Sequence, residues 1–370
     1  MSRSLEDIRK DIDALDRELQ ALINRRAELA QEVAHVKQAA GEDAAGFYRP
    51  EREAQILREV AARNPGPLPG DEVARIFREI MSACLALEMP LRIAFLGPQG
   101  TYTHAAALRH FGHSVTSLPL PAIASVFHDV ESGEAHYGVV PVENSTEGVV
   151  THTLDLFLAS PLRICGEIQL RIHHFLLGNA NLVQGDGFAA EQIQRVYSHH
   201  QSFAQCREWL DTHLSHAERI TVASNAQAAK LAAAEAGAVA IAGEMAAEIY
   251  GLSSLARNIE DEPDNTTRFL IIGRESPRPS GQDKTTVLLS GQNRPGALYD
   301  LLKPFAAHGV SMTRIESRPS RKANWEYVFF VDLEGHAEDP GVAKALLEVE
   351  QNATLFKLLG AYPRALNPGI

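Results

Sequence analysis

The chain has 370 residues, 45% hydrophobic and 22% charged, with a formal net charge of -12. That length permits two or three domains with full-sized cores. The acidic balance argues against a nucleic-acid partner, which needs clustered Lys and Arg, yet a few arginines in a closed site can still clamp a small anion.

Residues 1–90 read as helix. Apolar residues recur at Leu5, Ile8, Ile12, Leu15, Leu19 and Leu22, then at Leu29, Val33 and Val36, with no Pro or Gly between Leu5 and Ala40. The spacing predicts one helix of about 35 residues, about 50 Å long, too long for a small monomeric domain and therefore expected to pack against a second copy. A second helix is expected from Pro50 and a third from about Asp71 to Met89, after the breaker NPGPLPG. Residues 91–275 change period. LRIAFL, YGVVPV, RVYS, RITVAS and AVAIAG alternate with helical stretches, which predicts a two-lobed α/β domain with a cleft between the lobes. GEIQLRIHHFLLG reads as one long strand crossing between the lobes. SPRPSGQ is a linker by composition, and residues 283–370 follow a βαββαβ order, the pattern of an α+β ferredoxin-like module.

Arg26 falls where the 3-4 series of the first helix calls for a core residue. A charge on a packing seam is costly unless paired, so it is either an interchain ion pair or register device, or a ligand contact. Lys37 lies 11 residues further on, which puts both side chains on one face about 16 Å apart along the axis, able to converge on one small anion. Arg9 lies about 25 Å before Arg26 and would reach such an anion only from a partner subunit.

The pattern IRKDIDALD, INRRAELAQEVAHVK, YRPERE and EIMSACLALE resembles the all-helical bacterial chorismate mutases over nearly all of residues 5–89. The resemblance implies an intertwined dimer and an active-site set of Arg9, Arg26, Lys37, Arg52, Glu53 and Glu88. Chorismate rearranges without nucleophile or cofactor, so its site must hold a compact conformer and stabilise charge on the breaking ether oxygen. Arg9 and Arg26 suit the carboxylates, Lys37 and a protonated Glu88 the ether oxygen, and Glu53 the ring hydroxyl. The plainer reading of Glu88 is a solvated residue at a helix end.

Five polar clusters mark strand ends in the middle segment: GPQGTYTHAA, PVENSTEG, SHHQSFAQC, SNAQ and NTTRF. The first lacks both the dinucleotide spacing and the P-loop Lys, leaving a carboxylate-binding turn or a simple strand-to-helix turn with a Thr cap. Together, in this order, they resemble the prephenate dehydratases over about 91–273. Catalytic residues are then expected at Thr267 and Glu143, and substrate contacts at Thr101, Tyr102, Asn144, Ser145, Ser198, Gln201, Gln205, Arg268 and Phe269. Thr267 would donate a hydrogen bond to the departing hydroxyl, and Arg268 either binds a substrate carboxylate or makes a structural ion pair. His104, His173, His174 and His199 fit no zinc spacing and read as core or surface histidines, so neither metal nor cofactor is expected.

QNRPGALYDLL and IESRP resemble the ACT regulatory domain of the same enzymes, implying a phenylalanine site that uses Asn293, Gly296, Ala297, Leu298, Glu316, Ser317 and Arg318 between two subunits. The expected protein is therefore a homodimer or higher oligomer. It takes chorismate and prephenate, is inhibited by L-phenylalanine, and uses no nucleic acid or membrane. The alternative is a non-catalytic amino-acid sensor with the same cleft, which would not need Arg26 and Lys37 on a helix seam. Cys84, Cys165 and Cys206 without paired spacing, and an N-terminus without a signal-peptide core, point to the cytoplasm.

Overall fold

The computed structural model describes residues 3–39, 41, 48–185, 187–292, 294–320 and 327–365. α1 (Leu5–Ala39) runs unbroken for 35 residues. Ser4 opens it by accepting from the Asp7 N–H at 3.1 Å, and Glu6 and Asp7 at the start and Lys37 at the end complement its dipole. Pro50 takes the first turn of α2 (Pro50–Ala62), and α3 (Gly70–Glu88) closes the helical segment. α1 packs on α3, but its apolar stripe faces outward, with Leu22 68% and Val36 70% exposed. An exposed apolar stripe of this length is the kind of surface that marks an interaction site. The helical segment is also tied to the rest of the chain. Arg58 Nη2 donates to Ser280 O at 2.6 Å, and Glu79 accepts the His113 N–H at 3.0 Å.

The middle segment folds as two lobes. The first sheet comprises β1 (Arg92–Leu96), β2 (Thr116–Leu120), β3 (Tyr137–Asn144), β5 (Arg163–Arg171) and β13 (Thr266–Gly273) in the order β2-β1-β3-β13-β5, with β4 (Gly148–Val149) paired on β3. α4 (Tyr102–Phe111), α5 (Ile123–Ser132) and α6 (Thr151–Phe157) pack on it. β1, β2 and β3 are parallel, whereas β13 returns from the second lobe and runs antiparallel between β3 and β5. The second sheet orders β10-β9-β11-β6-β12, with β6 at Phe175–Gly178, β9 at Arg195–Ser198, β10 at Glu218–Thr221, β11 at Ala238–Ala242 and β12 at Ser253–Ala256. A small hairpin, β7 (Val183–Gln184) and β8 (Gly187–Phe188), lies beside it. α7 (His200–Gln205), α8 (Arg207–His213), α9 (Asn225–Ala234) and α10 (Glu244–Tyr250) complete this lobe. The stretch expected as one crossing strand is two strands, β5 and β6, separated at residues 172–174 where the chain passes between lobes.

The last segment is β14 (Asp283–Ser290), α11 (Ala297–Ala307), β15 (Met312–Pro319), β16 (Tyr327–Glu334), α12 (Pro340–Asn352) and β17 (Leu355–Pro363). Its sheet order β15-β16-β14-β17 is that of the ferredoxin-like pattern. Strand alternation divides its side chains. Val287, Val331 and Leu333 pack with α11 and α12, while Leu288, Val328, Phe330, Leu359 and Tyr362 join the core of the first lobe. The inner strands of this sheet are therefore covered on both faces, while the edge strand β15 keeps Ile315 and Ser317 exposed. At Gly360 the backbones of β17 and β5 approach so closely that a Cβ would lie 2.2 Å from Ile164 O, so only glycine fits.

Candidate active sites and regulatory site

In the helical segment, Arg26 and Lys37 are half-buried on α1, and the end of α3 brings Glu88 to them. Burial pushes the Glu88 carboxyl above its usual range while Lys37 and Arg26 pull it down. Lys37 lines an open cleft of about 570 Å³ with Val33, Arg49, Arg52, Gln55 and Arg278. Arg278 belongs to the linker between domains and was not anticipated from sequence, because no local pattern says where a linker folds back. Arg9 is exposed near the far end of α1.

Glu53 departs from expectation. One residue past Arg52 it turns about 100° around α2 and faces Arg78, with Oε1 3.7 Å from Nε. It lines a separate cavity of about 50 Å³ with Tyr48, Arg109, His110, Glu167 and Arg364, where helical, dehydratase-like and C-terminal segments meet. Burial raises its carboxyl to about 7 against the pull of Arg78. Burial likewise lowers His110 to about 3, helped by Arg78. The single chain thus does not bring Glu53 to the Lys37 cleft.

The two-lobed segment builds a connected polar site. Asn144 and Thr267 sit opposite each other on β3 and β13. The Asn144 Oδ1 accepts the backbone N–H groups of Thr146 (3.0 Å) and Glu147 (2.9 Å), which fixes the orientation of the amide. Its Nδ2 therefore donates to Thr267 Oγ1 at 2.8 Å and Asn265 Oδ1 at 2.7 Å. With its oxygen already accepting, Thr267 has its own hydroxyl proton to offer. Asn265 passes the polarity on, donating from Nδ2 to Gln205 Oε1 at 3.2 Å. The same oxygen lies 2.8 Å from His174 Nε2, which must then carry the proton, leaving Nδ1 to accept. Tyr102 Oη lies 2.9 Å from that Nδ1 and 2.8 Å from His173 O. Burial lowers the His174 pKa, in keeping with a neutral ring. The network thus runs from Tyr102 to Thr267 across both lobes. His174 and Asn265 are members that sequence reasoning did not assign. The signal for His174 was its place where the chain crosses between lobes, and Asn265 opens the NTTRF cluster.

Several residues expected to touch substrate have other occupations. The Thr101 hydroxyl donates to Leu96 O and accepts from the His104 N–H, serving as a helix cap. Ser198 is fully buried and donates within hydrogen-bond distance of Asn225 Oδ1 and Ile241 O. Ser145 Oγ accepts the Thr266 N–H at 2.9 Å, tying β3 to β13. Phe269 is 2% exposed, packed in the core with Phe95 and Ile168. Gln201 is half-buried in the first turn of α7. Arg268 resolves to the ion pair. It contacts Glu167 at 2.8 Å and Asp332 at 2.6 Å, on the strand face opposite Thr267. Glu143 likewise faces away from Asn144 and meets Arg314 at 3.0 Å. Strand parity, invisible in a motif, decides both corrections.

In the C-terminal module Gly296 caps α11 with φ +80°, and Ala297 and Leu298 form its first turn. Glu316 and Ser317 lie on the edge strand β15, Glu316 half-buried and Ser317 exposed. Arg318 is turned to the dehydratase-like lobe, pairing with Asp155 at 3.1 Å, rather than to an open ligand face. Asn293 lies outside the described residues. Among the described residues no group of three His, Cys, Asp or Glu is placed to hold a metal ion.

Family models match three consecutive stretches: chorismate mutase type II over residues 8–89, prephenate dehydratase over 93–277 and the ACT domain over 285–351. The bifunctional chorismate mutase/prephenate dehydratases of Stutzerimonas stutzeri and Pseudomonas aeruginosa are each 54% identical over 364 residues, covering 98% of this chain and 98% of theirs. A solved prephenate dehydratase from Arthrobacter aurescens, in complex with L-Phe, is 37% identical with a TM-score of 0.67, covering 74% of this chain and 90% of that one. The interlobe network and the charged helix seam thus stand in a chain that belongs to the bifunctional chorismate mutase/prephenate dehydratase family, the enzymes of phenylalanine synthesis that rearrange chorismate to prephenate and convert prephenate to phenylpyruvate under feedback control.

Proposed function

We propose that chorismate is held on the cationic seam of α1, where Arg26 binds a carboxylate, Lys37 donates to the ether oxygen and a protonated Glu88 adds a second donor. The observation that supports this reading is Glu88 lying within the fields of Lys37 and Arg26 with its carboxyl pushed up by burial. The outward apolar stripe of α1 supports a homodimer in which Arg9 of each subunit enters the site of the other. Two subunits would also bring new neighbours to Arg52 and Glu53. The three working units are taken as residues 1–90, 91–275 and 283–370, and the protein is placed in the cytoplasm. Among the described residues no helix is long and apolar enough to cross a membrane.

Prephenate is proposed to bind between the lobes, with its ring hydroxyl facing Thr267. As the carboxylate leaves as CO2, its bonding electrons enter the ring and expel the hydroxyl, which leaves as water once it gains a proton. The Thr267 O–H, oriented by Asn144, donates toward that oxygen, and the Gln205–His174–Tyr102 arm holds the second lobe in register. Phenylalanine is proposed to sit at the Gly296 turn and the Glu316–Ser317 strand. Incubating the purified protein with chorismate and following phenylpyruvate tests both steps together. Prephenate accumulating without phenylpyruvate would remove the dehydratase assignment, and untouched chorismate the mutase assignment.

A further inference from the structure

We propose that Arg314 and Asp332 of the sensor module, acting through Glu143 and Arg268, are positioning residues that carry the state of the β15 edge to Asn144 and Thr267. The inference rests on the proposed sensing of phenylalanine at β15.

Two antiparallel strand pairs face each other across the domain boundary. In the dehydratase lobe Glu143 is opposite Arg268, and Asn144 is opposite Thr267. In the sensor module Arg314 is opposite Asp332. Directly opposed residues share a face, and their sequence neighbours take the other. Asn144 and Thr267 therefore face the cleft because Glu143 and Arg268 face the sensor. The four charges cross-match, Glu143 to Arg314 at 3.0 Å and Arg268 to Asp332 at 2.6 Å. Glu167 backs Arg268 and is itself held by Lys284 of β14 at 2.8 Å, and Thr286 and Tyr362 complete the hydrogen bonds. A second tether, Arg318 to Asp155, leaves the same strand two residues beyond Glu316.

This arrangement transmits displacement. Buried ion pairs tolerate separation poorly, because each partner left alone is a desolvated charge. With Arg268 11% and Asp332 3% exposed, a shift of β16 must drag Arg268 with it or break a costly contact, and a shift of β15 draws the mostly buried Arg314 away from Glu143. Thr267 is one peptide from Arg268, and Asn144 one peptide from Glu143. The β3–β13 register slips between Arg268 and Phe269, so this end of the strand pair is set off from the regular ladder behind it. Arg314 also has a buried Nη2 without a hydrogen-bond partner, which leaves its seat on Glu143 incompletely satisfied.

Arg314 is the position to test. Its partner Glu143 keeps 36% of its side chain exposed and can be rehydrated, and Asp332 keeps Arg268. In the full-length enzyme, Arg314→Gln is expected to bind L-phenylalanine within threefold of wild type by calorimetry. Its dehydratase kcat without phenylalanine should stay within threefold of wild type, while saturating phenylalanine should remove less than a third of the activity that it removes from wild type. Arg314→Lys, which restores the charge, should recover most of the inhibition. Chorismate mutase turnover reports folding, and Arg314→Met, of similar volume, carries the test if the glutamine variant loses it. Inhibition of the uncharged variant to the wild-type extent overturns the relay, as does loss of phenylalanine binding, which would make Arg314 a ligand contact. A wild-type enzyme that neither binds nor responds to phenylalanine would instead sink the sensor reading on which the relay stands.

Discussion

The mutase and dehydratase halves solve the same problem, holding a small dicarboxylate, by opposite means. The mutase seam is spread along one helix, with its apolar stripe uncovered in the single chain and Arg9 too far from Lys37 to share a ligand. The proposed dehydratase site lies within one chain, its side chains ordered by hydrogen bonds that converge on Gln205 Oε1, from Asn144 through Asn265 on one side and from Tyr102 through His174 on the other. On the reading proposed above, one depends on charge delivered by assembly, the other on orientation built by folding. Losing a cation should therefore cost the mutase most, and losing a donor the dehydratase.

The sharpest break is Lys37→Ala. It should lower mutase turnover by roughly a thousandfold, the upper end for removing a transition-state donor, while leaving dehydratase turnover within twofold. A parallel fall in both activities would show that the halves are not independent. Thr267→Ala should cut dehydratase kcat by roughly a hundredfold and spare the mutase, and an unchanged rate with prephenate would take Thr267 out of the mechanism. Glu88→Gln probes the sign of one raised carboxyl. Glu88 donates only when protonated, so wild-type mutase activity should fall as pH rises, and the glutamine variant should hold a flat alkaline limb. Superimposable profiles would remove the donor role.

The smallest effect concerns Glu53. Its folded-state carboxyl, raised to about 7, costs stability as pH rises from the unfolded value near 4.5, and the loss is complete above about 7. Glu53→Gln should erase that slope in denaturation midpoints and gain about 2 kcal/mol at pH 8, since each pKa unit is worth about 1.4 kcal/mol and partial exposure trims the total. A variant less stable than wild type at pH 8 would mean that the Arg78 contact outweighs the burial.

Helical periodicity made α1 legible to within a residue or so, because 3.6-residue geometry fixes which side chains share a face from local sequence alone. The same geometry gave Arg26 and Lys37 a common side but did not tell Glu53 from Arg52, since facing a cleft depends on where α3 and the rest of the chain lie. Strand sites were harder. Motifs delivered Asn144 and Thr267 together with their neighbours Glu143 and Arg268, and only pairing across the β3–β13 ladder sorts them into cleft and sensor faces. His174 was hidden for a related reason: its partners Tyr102 and Gln205 are 72 and 31 residues away in sequence.

The close seating of Gly360 on Ile164, and the apolar cluster that β14, β16 and β17 share with the first lobe, bear on how such enzymes are engineered and diversify. A regulatory module docked through a common interior is not a detachable accessory. Trimming the chain at the linker would bare Leu270, Phe157 and their neighbours to water, so a shortened protein would report aggregation before it reported deregulation. Swapping sensors between relatives would succeed only when the inward residues of the incoming sheet arrive as a matched set.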